Sequence, residues 1–199
     1  MKSITAVTFL GILTCAFASY QPYISEKCQD VEAMKKFQPA RFFKGTWYVT
    51  HAKNGTVATV CHKYKTKKEK NSSPSFDYGY YNNGNEEPFF QVHCEETNRI
   101  GNKQFSFYCE LIKGQESSNF KQYNVDLTFI DTDYESFAIF YRCVPIKTLG
   151  YADNFLVLHR KKALSSTYAE AKKVLEKQGL CLDSFLNRKN SNCKQNPKF

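Results

Sequence analysis

Tryptophan occurs once in this sequence and methionine twice, and after the first twenty residues no long apolar run appears. That last absence excludes a membrane-spanning helix in the body of the chain, because a span needs about 20 consecutive apolar residues. Motifs that carry common catalytic chemistry are missing too. There is no Gly-x-Ser-x-Gly elbow, no His-Glu-x-x-His pair and no glycine-rich phosphate loop, so an enzyme is not expected. The four histidines, His51, His62, His93 and His159, are scattered through strand-like segments and not set at metal-ligand spacing. The acidic pairs Glu86-Glu87 and Glu95-Glu96 fall in or beside turns, where solvated carboxylates are the ordinary expectation. No internal repeat or low-complexity segment interrupts the chain.

What is present begins with a leader-like start. Lys2, a short apolar run from Ile4, and Ala16-Phe17-Ala18-Ser19 have the layout of a secretory signal peptide, with cleavage expected after Ala18. Residues 19–199 then suit one domain with a sizeable core. The formal charge is +9, and loss of Lys2 with the leader would leave +8. A basic exported protein favours anionic surfaces, polyanions or acidic proteins; nucleic acid is not expected among its partners. Seventeen phenylalanines and thirteen tyrosines favour strands.

The single tryptophan lies in Gly45-Thr46-Trp47-Tyr48-Val49-Thr50, a glycine-entered, aromatic-rich strand whose large ring would plug one end of a β-structure. Before it, Val31, Met34 and Phe37 give a weak helical pattern over Glu26–Phe37, with Ser25 or Asp30 as cap and Pro39 as the stop. After it, alternation predicts strands over Thr46–Lys53, Ala58–Lys68, Ser75–Tyr81 and Pro88–Glu95. Four more follow, through Phe105–Leu111, Val125–Phe129, Ser136–Val144 and Asn154–Lys161. Asn82-Asn83-Gly84-Asn85 is a strong hairpin turn. In the second strand Lys63, Lys65 and Lys67 share one face, and Tyr64 and Thr66 the other; with Lys68 and Lys70 the lysines form a candidate basic contact surface. In the third, Phe76, Tyr78 and Tyr80 share a face opposite Asp77, Gly79 and Tyr81.

Eight strands joined by turns, without helical crossovers, predict an antiparallel up-and-down sheet closed into a barrel. Such an interior can hold one small ligand, and Phe76, Tyr78, Tyr80, Phe105 and Phe107 are its candidate lining. Arg142 is the candidate counter-charge for an anionic lipid; Asp77 and Asp126 are the candidate carboxylates for an amine. Beyond the strands, Leu164, Tyr168, Ala171 and Leu175 recur at helical spacing, Thr167 and Glu170 fit a capping box, and Gly179 suits a C-terminal cap. One late helix should therefore pack on the barrel wall, with a further helical turn within Leu180–Asn187.

Removing Cys15 with the leader leaves Cys28, Cys61, Cys94, Cys109, Cys143, Cys181 and Cys193. In an oxidising compartment that is three disulfides and one odd thiol, with roughly a hundred arrangements open. Asn54-Gly55-Thr56 and Asn71-Ser72-Ser73 are glycosylation sequons.

The layout as a whole, an all-β eight-stranded antiparallel barrel with a short N-terminal helix and a late helix, resembles the lipocalins. Phe42-Phe43-Lys44-Gly45-Thr46-Trp47-Tyr48-Val49-Thr50-His51, Val60-Cys61-His62-Lys63-Tyr64 and the stretch from Asp133 to Cys143 are similar to the triabin family, the salivary lipocalins of blood-feeding triatomine bugs. The resemblance spans essentially the whole mature chain and comes nearest to the triafestin group, with pallidipin- and triplatin-like members next. It implies the pairs Cys28–Cys143, Cys61–Cys193 and Cys94–Cys109, leaving Cys181 unpaired. It also implies a secreted, monomeric, anti-haemostatic protein of saliva. Its partners would be factor XII and high-molecular-weight kininogen, bound with a zinc dependence, so that contact activation and bradykinin release fall. Alternatives within the same resemblance are capture of thromboxane or another eicosanoid in the barrel and inhibition of thrombin. Haem carriage, as in the nitrophorins, is not expected, because Tyr80 stands where their histidine would be and the axial nitrogen is lost.

Overall fold

The structure, a computed structural model, describes residues 24–69, 72–114, 121–161 and 168–199. Ten strands form one sheet: β1 (Ile24–Ser25), β2 (Gly45–Ala52), β3 (Lys63–Lys67), β4 (Ser75–Asn82), β5 (Glu86–Ile100), β6 (Gln104–Lys113), β7 (Gln122–Thr132), β8 (Phe137–Ile146), β9 (Gly150–His159) and β10 (Leu186–Asn187). Among the described residues three α-helices accompany them, α1 (Pro39–Phe42), α2 (Val57–Val60) and α3 (Tyr168–Lys177), with two 3-10 turns at Leu182–Ser184 and Arg188–Asn190. Strands β2 to β9 pair antiparallel in chain order, and β9 pairs back onto β2 from Tyr48↔His159 to Ala52↔Leu156. That last pairing closes an eight-stranded barrel and leaves no free edge among these strands. The two-residue strands β1 and β10 are short additions beside β9 and β2.

Period-two alternation sorts the side chains as expected. Phe76 and Tyr78 on β4, Phe105 and Phe107 on β6, and Val125, Leu127 and Phe129 on β7 face one interior cluster. A second apolar layer lies outside the barrel, where Ile139, Tyr141 and Val157 meet Ala171 and Leu175 of α3. Gly179 (φ +71°) ends that helix in the left-handed conformation a C-terminal glycine supplies. Residues 164 and 167, which the helical pattern and its cap invoke, lie outside the described residues, as does the whole leader.

Two segments depart from the sequence reading. Glu26–Phe37 is not helical; it runs as irregular chain across the barrel end, with Met34 N–H donating to Phe129 O at 2.8 Å. Pro39 begins a helix instead of ending one. It occupies the first helical turn, where its missing N–H is no loss and its fixed φ is already helical. Ala58–Val60 is likewise not strand but the short helix α2, because Thr56 and Thr59 cap each other's backbone at its start. The second strand begins only at Lys63.

Disulfides join Cys28 to Cys143, Cys61 to Cys193 and Cys94 to Cys109. The last links cross-strand partners on β5 and β6; the other two tie the chain's flanking segments to the barrel. Cys181, expected as the odd thiol, is disulfide-bonded and not free.

Candidate functional site

One end of the barrel is sealed by rings. Trp47 is fully buried and donates its indole N–H to Phe42 O at 3.1 Å. Phe42 stacks on it with centroids 5.2 Å apart, and Phe37 stacks flat on Phe129 at 4.1 Å and 8°. Phe43, Phe105, Phe107, Phe129 and Phe140 fill the space above at close to zero exposure. Two interior voids, one beside Tyr78, Tyr123 and Arg142 and one beside Phe42, Phe76 and Phe140, are about 10 Å³ each, room for about one water apiece.

The upper interior is aromatic and polar together. Tyr78 and Tyr123 hydrogen-bond hydroxyl to hydroxyl. His62 is buried beside the rings of Tyr80 and Tyr78, at 4.6 and 5.1 Å, and its Nδ1 has no hydrogen-bond partner. Arg142 shares the inward face of β8 with Phe140 and Val144 and borders the void beside Tyr78 and Tyr123. Burial holds the His62 pKa well below its ordinary value, and the charges of Arg142 and Arg188 push it further the same way. Arg188 is itself spent on structure: its Nη1 donates to Val60 O at 2.8 Å and Val49 O at 3.2 Å.

The candidate lining residues Phe76, Tyr78, Tyr80, Phe105, Phe107 and Arg142 thus converge on the interior. The candidate amine-binding carboxylates do not. Asp77 points outward to His93, with Oδ1 2.7 Å from Nδ1, and Asp126 accepts from the Ser106 hydroxyl at 2.6 Å. Each stands one residue out of phase with its inward neighbours, Tyr78 and Leu127.

The lysine row is exterior but not bare. Lys63 Nζ lies 4.5 Å from the Phe199 ring centroid, and Lys65 Nζ donates to Phe199 O at 2.9 Å. Lys67 pairs with Glu69 at 2.8 Å, and Lys68 Nζ donates to Ser72 O at 2.7 Å. Lys70 and the sequon residue Asn71 lie outside the described residues. Asn54, the other sequon asparagine, is half-buried, its amide donating to Asp153 O at 3.3 Å. The histidines are less scattered than their spacing: His51 and His159 both approach the Thr50 hydroxyl, at 3.1 and 2.8 Å, behind α3. Among the described residues, no three His, Cys, Asp or Glu side chains are placed to hold a metal ion.

Three features escaped the sequence. The roles of His62 and Arg188 depend on contacts between residues 126 apart in the chain. Covering of the lysines by the C-terminal segment left one trace, the lone Gly79 within an otherwise aromatic strand, a sign of close approach.

A closed eight-stranded barrel plugged by a buried tryptophan, with an aromatic interior, defines a lipocalin-type binding protein. Residues 21–174 match the family model described as Triabin, and the chain belongs to the triabin family. It is 37% identical over 192 residues to triafestin-2 of Triatoma infestans, a match covering 94% of this chain and 91% of that one. With triabin of Meccus pallidipennis it shares 35% identity over 174 residues, covering 87% and 99% of the two chains. The amine-binding protein of Rhodnius prolixus, solved as its tryptamine complex, superposes with a TM-score of 0.71 at 19% identity, covering 85% of this chain and 91% of that one. At that identity the likeness speaks for the fold alone.

Proposed function

We propose that the chain is a secreted salivary protein that impairs host haemostasis by binding, without catalysis, and that its target is the plasma contact system. On this reading it engages factor XII and high-molecular-weight kininogen through its exterior and lowers bradykinin release. The observation that supports the exterior mode is the close packing among the described interior residues: the voids beside Tyr78 and Phe76 are about 10 Å³ each, far below the several hundred Å³ of a small-molecule site. The choice of target rests on the similarity to triafestin-2 along nearly the whole chain, and the strongly basic charge, +9 for the whole sequence and +8 without Lys2, suits a process assembled on anionic surfaces. Zinc, which the resemblance implies for partner binding, finds no ready ligand set among the described residues. The test is kallikrein generation in plasma on a negatively charged surface. Micromolar protein should slow it, and unchanged generation would overturn the target.

A second reading has its own observation. Arg142 faces inward beside Tyr78 and Tyr123, the arrangement an anionic lipid such as an eicosanoid would use, provided the tyrosines swing aside. The similarity to triabin keeps thrombin as a minor alternative.

A further inference from the structure

The last six residues lie across the outer face of β3 and β4. Cys193, bonded to Cys61, brings the segment there. Lys194 N–H then donates to Gly84 O at 2.9 Å, and its Nζ pairs with Glu87 at 3.0 Å and sits 4.4 Å over the Tyr81 ring. Asn196 Nδ2 donates to Gly79 O at 2.7 Å. Phe199 ends beside Phe89, with its ring against Gly79. A Cβ at Gly79 would fall 2.5 Å from Phe89 Cζ and 2.8 Å from Phe199 Cε1, so the missing side chain is what makes the notch. Around it Lys63 covers the Phe199 ring and Lys65 binds its main-chain oxygen. Asp77, the cross-strand neighbour of Lys65, is turned to His93 and does not neutralise the notch.

We infer that this notch is a docking site for an aromatic side chain flanked by anionic groups on a partner polypeptide, and that the chain's own Phe199 occupies it until displaced. The seated tail shows the chemistry accepted: a ring against Gly79 and under an ammonium, with an oxygen acceptor on Lys65. Charge complementarity selects an acidic segment, since Lys63, Lys65 and Lys113 border the notch against one nearby carboxylate, Glu87, which Lys194 of the tail holds. A tethered competitor lowers apparent affinity by the fraction of time it is seated. The inference does not depend on which plasma protein the chain engages.

The probe is a fluorescent peptide carrying one phenylalanine among glutamates, read by anisotropy against the full chain and a chain ending at Cys193. A tail seated nine-tenths of the time makes the shortened chain bind about tenfold more tightly, although it has lost two lysines and with them some general attraction for anions. Gly79→Ala or Lys65→Ala in the shortened chain should abolish the gain, and so should alanine in place of the peptide's phenylalanine. If the shortened chain does not fold, Asn196→Ala with Phe199→Ala in the full chain should give the same gain. Equal affinities with and without the tail, or a gain indifferent to the peptide's phenylalanine, would overturn the inference.

Discussion

The guanidinium of Arg160 lies 3.5 Å from the centroid of the Trp47 ring. The same group donates to Lys44 O at 2.5 Å, Thr46 O at 3.2 Å and Tyr134 O at 3.0 Å. One side chain thus joins the approach to β2, the β7–β8 turn and the end of β9. Burial lowers its pKa to about 10, so it stays charged at neutral pH. Lysine cannot reproduce this planar fork. Arg160→Lys should cost about 2–3 kcal/mol, seen as a lower urea midpoint at unchanged slope.

Acid should weaken the fold through its buried histidines. Burial first, then His159, pushes His51 down to about 4, while burial lowers His62 and His159 as well. The unfolded chain therefore binds more protons than the folded one between about pH 6.5 and 4. The stability is fully present above 6.5 and is lost as pH falls through that window. His93 runs the other way, since the Asp77 and Glu95 hydrogen bonds outweigh its partial burial and raise its pKa, but three lowered groups outnumber one raised. The urea midpoint should drop between pH 7 and pH 5, with on the order of 1–2 kcal/mol from His51 alone. His51→Gln should flatten the drop.

If the interior is closed by packing, emptying it should create a site. Phe107 is fully buried against Phe76, with centroids 4.9 Å apart. Phe107→Ala should cost about 3–5 kcal/mol and should bind a hydrophobic dye such as anilinonaphthalene sulfonate, with blue-shifted emission. Dye entering the unaltered native barrel would contradict a filled interior.

The barrel was legible because its signals are local. Phe76, Tyr78, Phe105 and Phe107 alternate within their own strands, and Trp47 marks the plug without any partner. The errors came where a residue's meaning is set elsewhere. Pro39 stops or starts a helix according to which side continues, and Ala58–Val60 looks like strand until the Thr56–Thr59 caps are known. Asp77 and Asp126 could be placed only once the register with Tyr78 and Leu127 was fixed. The alternation that puts Lys63 and Lys65 on an outward face says nothing of what covers them, because nothing in β3 announces a tail arriving from Cys193 and beyond. Packing among the described interior residues is a sum over many rings from many strands, and no single stretch carries it.

The most direct measurement compares two modes of binding on one preparation. Surface plasmon resonance over immobilised factor XII and high-molecular-weight kininogen should give saturable binding at or below micromolar protein. Titration calorimetry with a thromboxane mimetic should give no heat. Tight one-to-one heat with the mimetic, and no binding to either plasma protein, would contradict an exterior, protein-directed mode of action and place the activity inside the barrel.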